Sequence, residues 1–79
     1  MKYLRHEAGI KKFAQRLKEI RLKKNISQEE LAFKAGLEFS QVSRIERGII
    51  KTSISHLFAL ADALKKQPSE LLNFNLEES

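Results

Sequence analysis

The sequence predicts an all-α domain of five helices in a chain of 79 residues. Apolar residues recur at helical spacing along nearly its whole length, and no alternating β-branched run interrupts them. Glycine and proline are scarce, at three and one. Serines stand where helices should begin, at Ser27 and Ser53.

Helix 1 is expected from Gly9 or Ile10 to Lys24, with Ile10, Phe13, Leu17 and Ile20 on one stripe and Ala14 and Arg21 at its margin. Asn25 follows a basic last turn and suits the left-handed conformation that ends a helix. Ser27 and Glu30 have the spacing of a capping box for helix 2, with Ile26 and Leu31 as the accompanying staple. Leu31, Ala32 and Ala35 should point inward, and Gly36 should end that helix at positive φ. Helix 3 spans Phe39 to Arg47, with Val42, Ile45 and Glu46 on one face and Gly48 as its stop. Ser53 should cap helix 4, from Ile54 to Lys65, whose inner stripe is Ile54, Leu57, Leu60, Ala61 and Leu64. Gln67-Pro68-Ser69-Glu70 opens a short helix 5, with proline at the first helical position, where its missing N–H costs little. Leu71, Leu72 and Phe74 are expected to close the core.

These elements form one domain over residues 9–74, with residues 1–8 and 75–79 expected to be flexible ends. A composition of 42% hydrophobic and 32% charged residues suits a globule rather than a disordered chain. The absence of cysteine excludes disulfides and thiolate metal sites. No apolar run spans a bilayer and MKYLRHEAG lacks a signal-peptide core, so a cytoplasmic protein without membrane contact is expected. His6 and His56 are far apart and Asp62 is the single aspartate. No ligand spacing and no glycine-rich phosphate loop is present, so neither catalysis, nor a metal, nor a cofactor is expected. The net charge of +5 is concentrated early, in Lys2, Arg5, Lys11, Lys12, Arg16, Lys18, Arg21, Lys23 and Lys24 against Glu7 and Glu19. Such a balance suits a polyanionic partner or a merely solvated helix.

The two helices around Gly36 should cross closely. Ala32 and Gly36 are small where the backbones are expected to approach, and Val42 and Ile45 supply packing. A helix-turn-helix needs these residue types at this spacing, and so does a plain helical hairpin. Arg21 and Glu46 both point toward the interior, where an unpaired charge is costly. A bidentate Arg21–Glu46 bridge is the economical solution, and snorkelling of both side chains is the alternative.

The run Phe13…Leu17…Ile20-Arg21…Ser27-Gln28-Glu29-Glu30-Leu31-Ala32…Ala35-Gly36-Leu37…Val42-Ser43-Arg44-Ile45-Glu46-Arg47-Gly48…Ser53…Leu57…Leu60-Ala61…Leu64 resembles the Cro/phage-repressor type of helix-turn-helix protein, the XRE family. The resemblance covers residues 10–72 and implies a compact lambda-repressor-like fold of five helices, with helices 2 and 3 as the helix-turn-helix. It further implies a transcription regulator, either a repressor or a small controller protein, that binds double-stranded DNA as a homodimer. A roughly palindromic operator follows, with half-sites about one turn, ~34–36 Å, apart. By the same resemblance Phe39, Ser40, Ser43 and Arg44 would read bases, and Gln28, Gln41, Arg47 and Lys51 would contact phosphates, with Gln41 also able to reach a base.

Three positions depart from the family pattern: Glu38 at the start of helix 3, Phe39 at the first reading position, and Ile49-Ile50 in the following loop. Adjacent loop isoleucines invite burial, so Ile49, Ile50, Leu72 and Phe74 are the expected dimer interface. Two other readings remain at this stage: an antitoxin with a toxin protein as partner, and an interaction module that does not use DNA.

Overall fold

The computed structural model describes residues 4–76. Met1 to Tyr3 and residues 77–79, part of the ends expected to be flexible, lie outside the described residues. Five helices follow in order: α1 (Glu7–Lys23), α2 (Gln28–Ala35), α3 (Phe39–Glu46), α4 (Ile54–Leu64) and α5 (Pro68–Leu71).

Starts and stops follow from local chemistry. Ser27 Oγ accepts from the Glu30 N–H at 3.0 Å, and Ser53 Oγ from the His56 N–H at 3.1 Å. The reciprocal half of the expected capping box is not made, because the Glu30 carboxylate turns to Lys34 instead (3.7 Å). In α3 and α5 the third residue reaches back: Gln41 Oε1 accepts from the Glu38 N–H at 3.0 Å and Glu70 Oε2 from the Gln67 N–H at 3.1 Å. The Gln67 N–H, with Lys66 alongside, holds the Glu70 carboxyl below the usual carboxylate range. Helix α1 starts two residues earlier than expected because His6 caps it, its Nδ1 accepting from the Gly9 N–H at 2.9 Å. Residues Glu7 and Ala8 are therefore helical rather than part of a loose end.

The helices α1 to α4 share one stop signal. Each ends at a residue of positive φ: Asn25 (59°), Gly36 (72°), Gly48 (70°) and Lys65 (56°). The next N–H returns to the carbonyl five residues back: Ile26 to Arg21, Leu37 to Ala32, Ile49 to Arg44, and Lys66 to Ala61. Three of these stops are asparagine or glycine, as expected. The fourth, Lys65, was expected to be the last residue of helix 4 and is its left-handed stop. A side chain with a β-carbon costs about 1–2 kcal/mol in that conformation, partly offset by the backbone entropy that glycine loses on folding. Lys65→Gly is therefore expected to raise stability by about 0.5–1 kcal/mol. The urea midpoint should rise with an unchanged slope, and a lowered midpoint would contradict the argument.

The core comprises Phe13, Leu17, Ile20, Leu31, Ala32, Val42, Ile45, Leu57, Leu60, Ala61, Leu64 and Leu71, with Ile26, Ala35, Leu37, Ile50 and Phe74 packed at its edge. Ala14 and Arg21, placed at the margin by periodicity, are buried. Three residues expected on inner faces are not in it: Ile10, in α1, is only partly buried, Ile54, in the first turn of α4, is 65% exposed, and Leu72, just past α5, is half exposed. All three line one groove that is open to solvent. The close approach expected at Gly36 is not made. No atom lies within 4 Å of where its β-carbon would be, so φ alone requires glycine there. Gly48 lies beside α1: a β-carbon there would make ordinary contacts with the Lys11 Cα at 3.7 Å and the Ala14 Cβ at 3.9 Å, so there too it is φ that favours glycine. The loop after α3 therefore runs directly over α1.

Candidate nucleic-acid interface

Helix α3 packs on α1 and α2, and its buried face is Val42, Ile45 and Glu46. Glu46 is the critical member, because a carboxylate there must be satisfied from inside the protein. Arg21 Nε donates to Glu46 Oε2 at 2.6 Å and Arg21 Nη2 to Glu46 Oε1 at 3.0 Å. The third guanidinium nitrogen, Nη1, donates to the Ile26 carbonyl at 2.8 Å. Gln28 Nε2 then donates to Glu46 Oε1 at 3.0 Å. Arg21 and Glu46 are 6% and 9% exposed, and no buried side-chain nitrogen or oxygen among the described residues lacks a hydrogen bond. One network thus ties α1, the turn at Ile26, α2 and α3 together. Charge-assisted bidentate bonds are directional, so they set the angle of α3 as well as holding it.

The opposite face of α3 is left to solvent. Ser40 and Arg44 are exposed, Phe39 is 50% exposed, and Ser43 is half-buried. Among the described residues nothing pairs with the Arg44 guanidinium. Phe39 does not fold back into the core despite its apolar ring. The Glu38 carboxylate stands exposed at the N-terminal end of the same helix, where the helix dipole favours it.

The residues assigned to phosphates have partners of their own. Gln41 Oε1 is committed to the Glu38 N–H, which leaves its amide nitrogen to donate outward. Gln28 is half-buried against Glu46, a role its place in the motif did not reveal; its Nε2 carries a second hydrogen. Arg47 Nε donates to the Ser43 carbonyl at 3.4 Å, and Lys51 Nζ to the Leu4 carbonyl at 3.4 Å, both weak and exposed contacts. Of the expected interface residues, Ile49 and Leu72 are half exposed, while Ile50 and Phe74 rest against the core.

The early positive charge is divided between two sides of the fold. Arg16, Lys23, Lys24 and Lys66 line a cleft between α1 and the turn before α5, on elements other than α2 and α3. The charge near α3 comes from Arg44, Arg47, Lys51 and, from the N-terminal segment, Arg5. Among the described residues no group of three or more histidine, cysteine, aspartate or glutamate side chains gathers as a metal site. Among the same residues no helix is long and apolar enough to cross a membrane.

A short helix held by its buried face against a capped partner, with an unpaired arginine facing outward, is the geometry of a helix-turn-helix reader. A family model described as Helix-turn-helix matches residues 17–71. The chain belongs to this family of DNA-binding transcription regulators. Within it, the chain is 43% identical over 63 residues to control protein C.BamHI of Bacillus amyloliquefaciens, which covers 78% of each chain. Among solved structures it is similar to the restriction-modification controller protein C.AhdI of Aeromonas hydrophila, with 47% identity and a TM-score of 0.79 over 81% of this chain and 97% of that one. The wild-type restriction-modification controller protein C.Esp1396I is similar at 31% identity and a TM-score of 0.74, over 78% of this chain and 80% of that one.

Proposed function

We propose that the chain is the controller protein of a restriction–modification system, acting as a homodimer on a roughly palindromic operator. Each protomer sets α3 into a major groove, and the two grooves lie about one turn, ~34–36 Å, apart on one side of the duplex. Arg44 reads a guanine through O6 and N7, Ser40 and Ser43 supply adaptable hydrogen bonds, and Phe39 packs on a thymine methyl. Gln28, Gln41, Arg47 and Lys51 fix register on phosphates. Occupancy of the site represses or activates according to where it lies relative to the promoter.

The observation that carries this reading is the unpaired guanidinium of Arg44 on a helix whose other face is held by the buried Arg21–Glu46 network. The controller relatives favour it over an antitoxin or a module that ignores DNA. The dimer rests on apolar surface. Ile49 and Leu72 are half exposed, and Ile10, Phe13, Ile54, Leu72, Phe74 and Leu76 line an open groove of about 360 Å³. A second copy related by a two-fold axis would cover that surface.

Selection from randomised duplexes is the test. A two-fold symmetric site should be enriched. Two cations per protomer on phosphates should give a log–log salt slope near −3.6, at about −0.9 per neutralised phosphate. An unenriched pool, or affinity indifferent to salt, would overturn the reading. Sedimentation should give twice the 9.1 kDa chain mass, and Ile49→Asp should return it to the monomer. Ile49 is the suitable position because Ile50 also supports the core.

A further inference from the structure

The segment before α1 lies across the loop that follows α3. Arg5 Nη2 donates to the Ile49 carbonyl at 2.7 Å and, more weakly, to the Gly48 carbonyl at 3.4 Å. The same guanidinium is steadied on its other edge by the Glu7 carboxylate. In return, Lys51 Nζ donates to the Leu4 carbonyl. The contacts are thus reciprocal, and they join residues more than forty positions apart. On its other side the loop lies next to Lys11 and Ala14 of α1 at Gly48. The loop is therefore held between α1 and the N-terminal segment.

This loop carries residues with assigned work: Lys51 for a phosphate, Ile49 for the two-fold contact, and Arg47 at the end of α3. Arg5 and its partner Glu7 lie outside the residues matched by the family model, which begin at residue 17. We propose that Arg5 is a positioning residue for DNA binding: its guanidinium clamps the Gly48 and Ile49 carbonyls and holds the loop ready before DNA arrives. The proposal rests on the DNA-binding reading above and adds to it. Arg5 touches the protein backbone, and its charge also complements the negative end of the α3 dipole. Its contribution is preorganisation: a loop that is binding-competent only part of the time weakens apparent affinity by that fraction.

The test uses the full chain, Arg5→Ala, Arg5→Lys and Lys51→Ala, with the duplex that the unaltered chain selects. Arg5→Ala should weaken binding about three- to tenfold, the result of a loop competent a third to a tenth of the time. Its salt slope should match the unaltered chain, because the contacts in the complex are the same. Lys51→Ala should instead make the slope shallower by about 0.9 per protomer. Arg5→Lys, which keeps the charge and one donor, should recover part of the loss. Backbone amide order parameters at Ile49 to Lys51 should fall in free Arg5→Ala and recover in its complex, with the melting curve little changed.

Unchanged affinity in Arg5→Ala, or unchanged order parameters in the free variant, overturns the proposal and leaves DNA binding intact. A slope shallower by about 0.9 per protomer also overturns it, because Arg5 would then be a direct phosphate contact. Failure of the unaltered chain to bind any duplex removes both this proposal and the reading beneath it.

Discussion

Glu46→Ala is expected to cost about 3–5 kcal/mol of stability, the usual penalty for stranding one partner of a buried ion pair. Two groups lose their acceptor at once, the Arg21 guanidinium and the Gln28 amide. A small domain has ~5–10 kcal/mol in total, so the variant should be near its unfolding midpoint at physiological temperature. Urea denaturation of Glu46→Ala and Arg21→Ala is the measurement. A second variant separates electrostatics from shape: replacing both residues, Arg21→Met with Glu46→Leu, should recover much of the loss, because no buried charge is then left unpaired. A loss below about 0.5 kcal/mol in Glu46→Ala would place the pair outside the buried class and in the range of exposed ion pairs.

Arg44→Ala is expected to change what the protein reads without changing how it folds. Arg44 is exposed and has no partner among the described residues, so its removal strands nothing in the core. A bidentate arginine–guanine pair contributes about 1–3 kcal/mol of discrimination, roughly five- to 150-fold at that base pair. Selection with Arg44→Ala should yield a site degenerate at one position in each half, with the other positions kept. Melting should shift by little, as expected for a surface substitution. Unaltered selection would move the specificity to Ser40, Ser43 or Gln41. A lowered melting point with unaltered selection would show that Arg44 supports the fold.

These two expectations differ because the two faces of α3 differ, and that difference was partly legible in the chain. Val42, Ile45 and Glu46 fall on one side by spacing alone, which leaves Ser40 and Arg44 on the other. Glu46's partner was also inferable, since Arg21 lies at the margin of the inward stripe of helix 1 and an inward carboxylate needs a cation. Gln28 was not. Its place in the motif suggested a phosphate contact, and nothing within five residues of it shows that its amide meets Glu46 eighteen positions away. Arg5 was less visible still, counted as one more charge on a loose end, whereas its guanidinium reaches carbonyls 43 and 44 positions on.

The errors at helix boundaries have a different origin. Ile10, Ile54 and Leu72 satisfy the apolar spacing of their segments, yet all three line a groove that no element of the chain fills. Periodicity reports which residues share a face; it does not report where the covering element stops. At Gly36 and Gly48 the same residue type answers one need, a left-handed turn, in open space at the first and beside α1 at the second.

Helix number, order and nearly all helix ends were set by chemistry within five residues: serine caps, returning side chains, and asparagine or glycine where φ is positive. Such interactions form between chain neighbours and need no partner from afar. The tilt of α3, the destination of Gln28, the clamp at Arg5 and the exposure of Ile54 were settled only when the helices packed. Each depends on groups 18 to 44 residues apart, or on where a neighbouring helix ends, and no local pattern encodes those meetings.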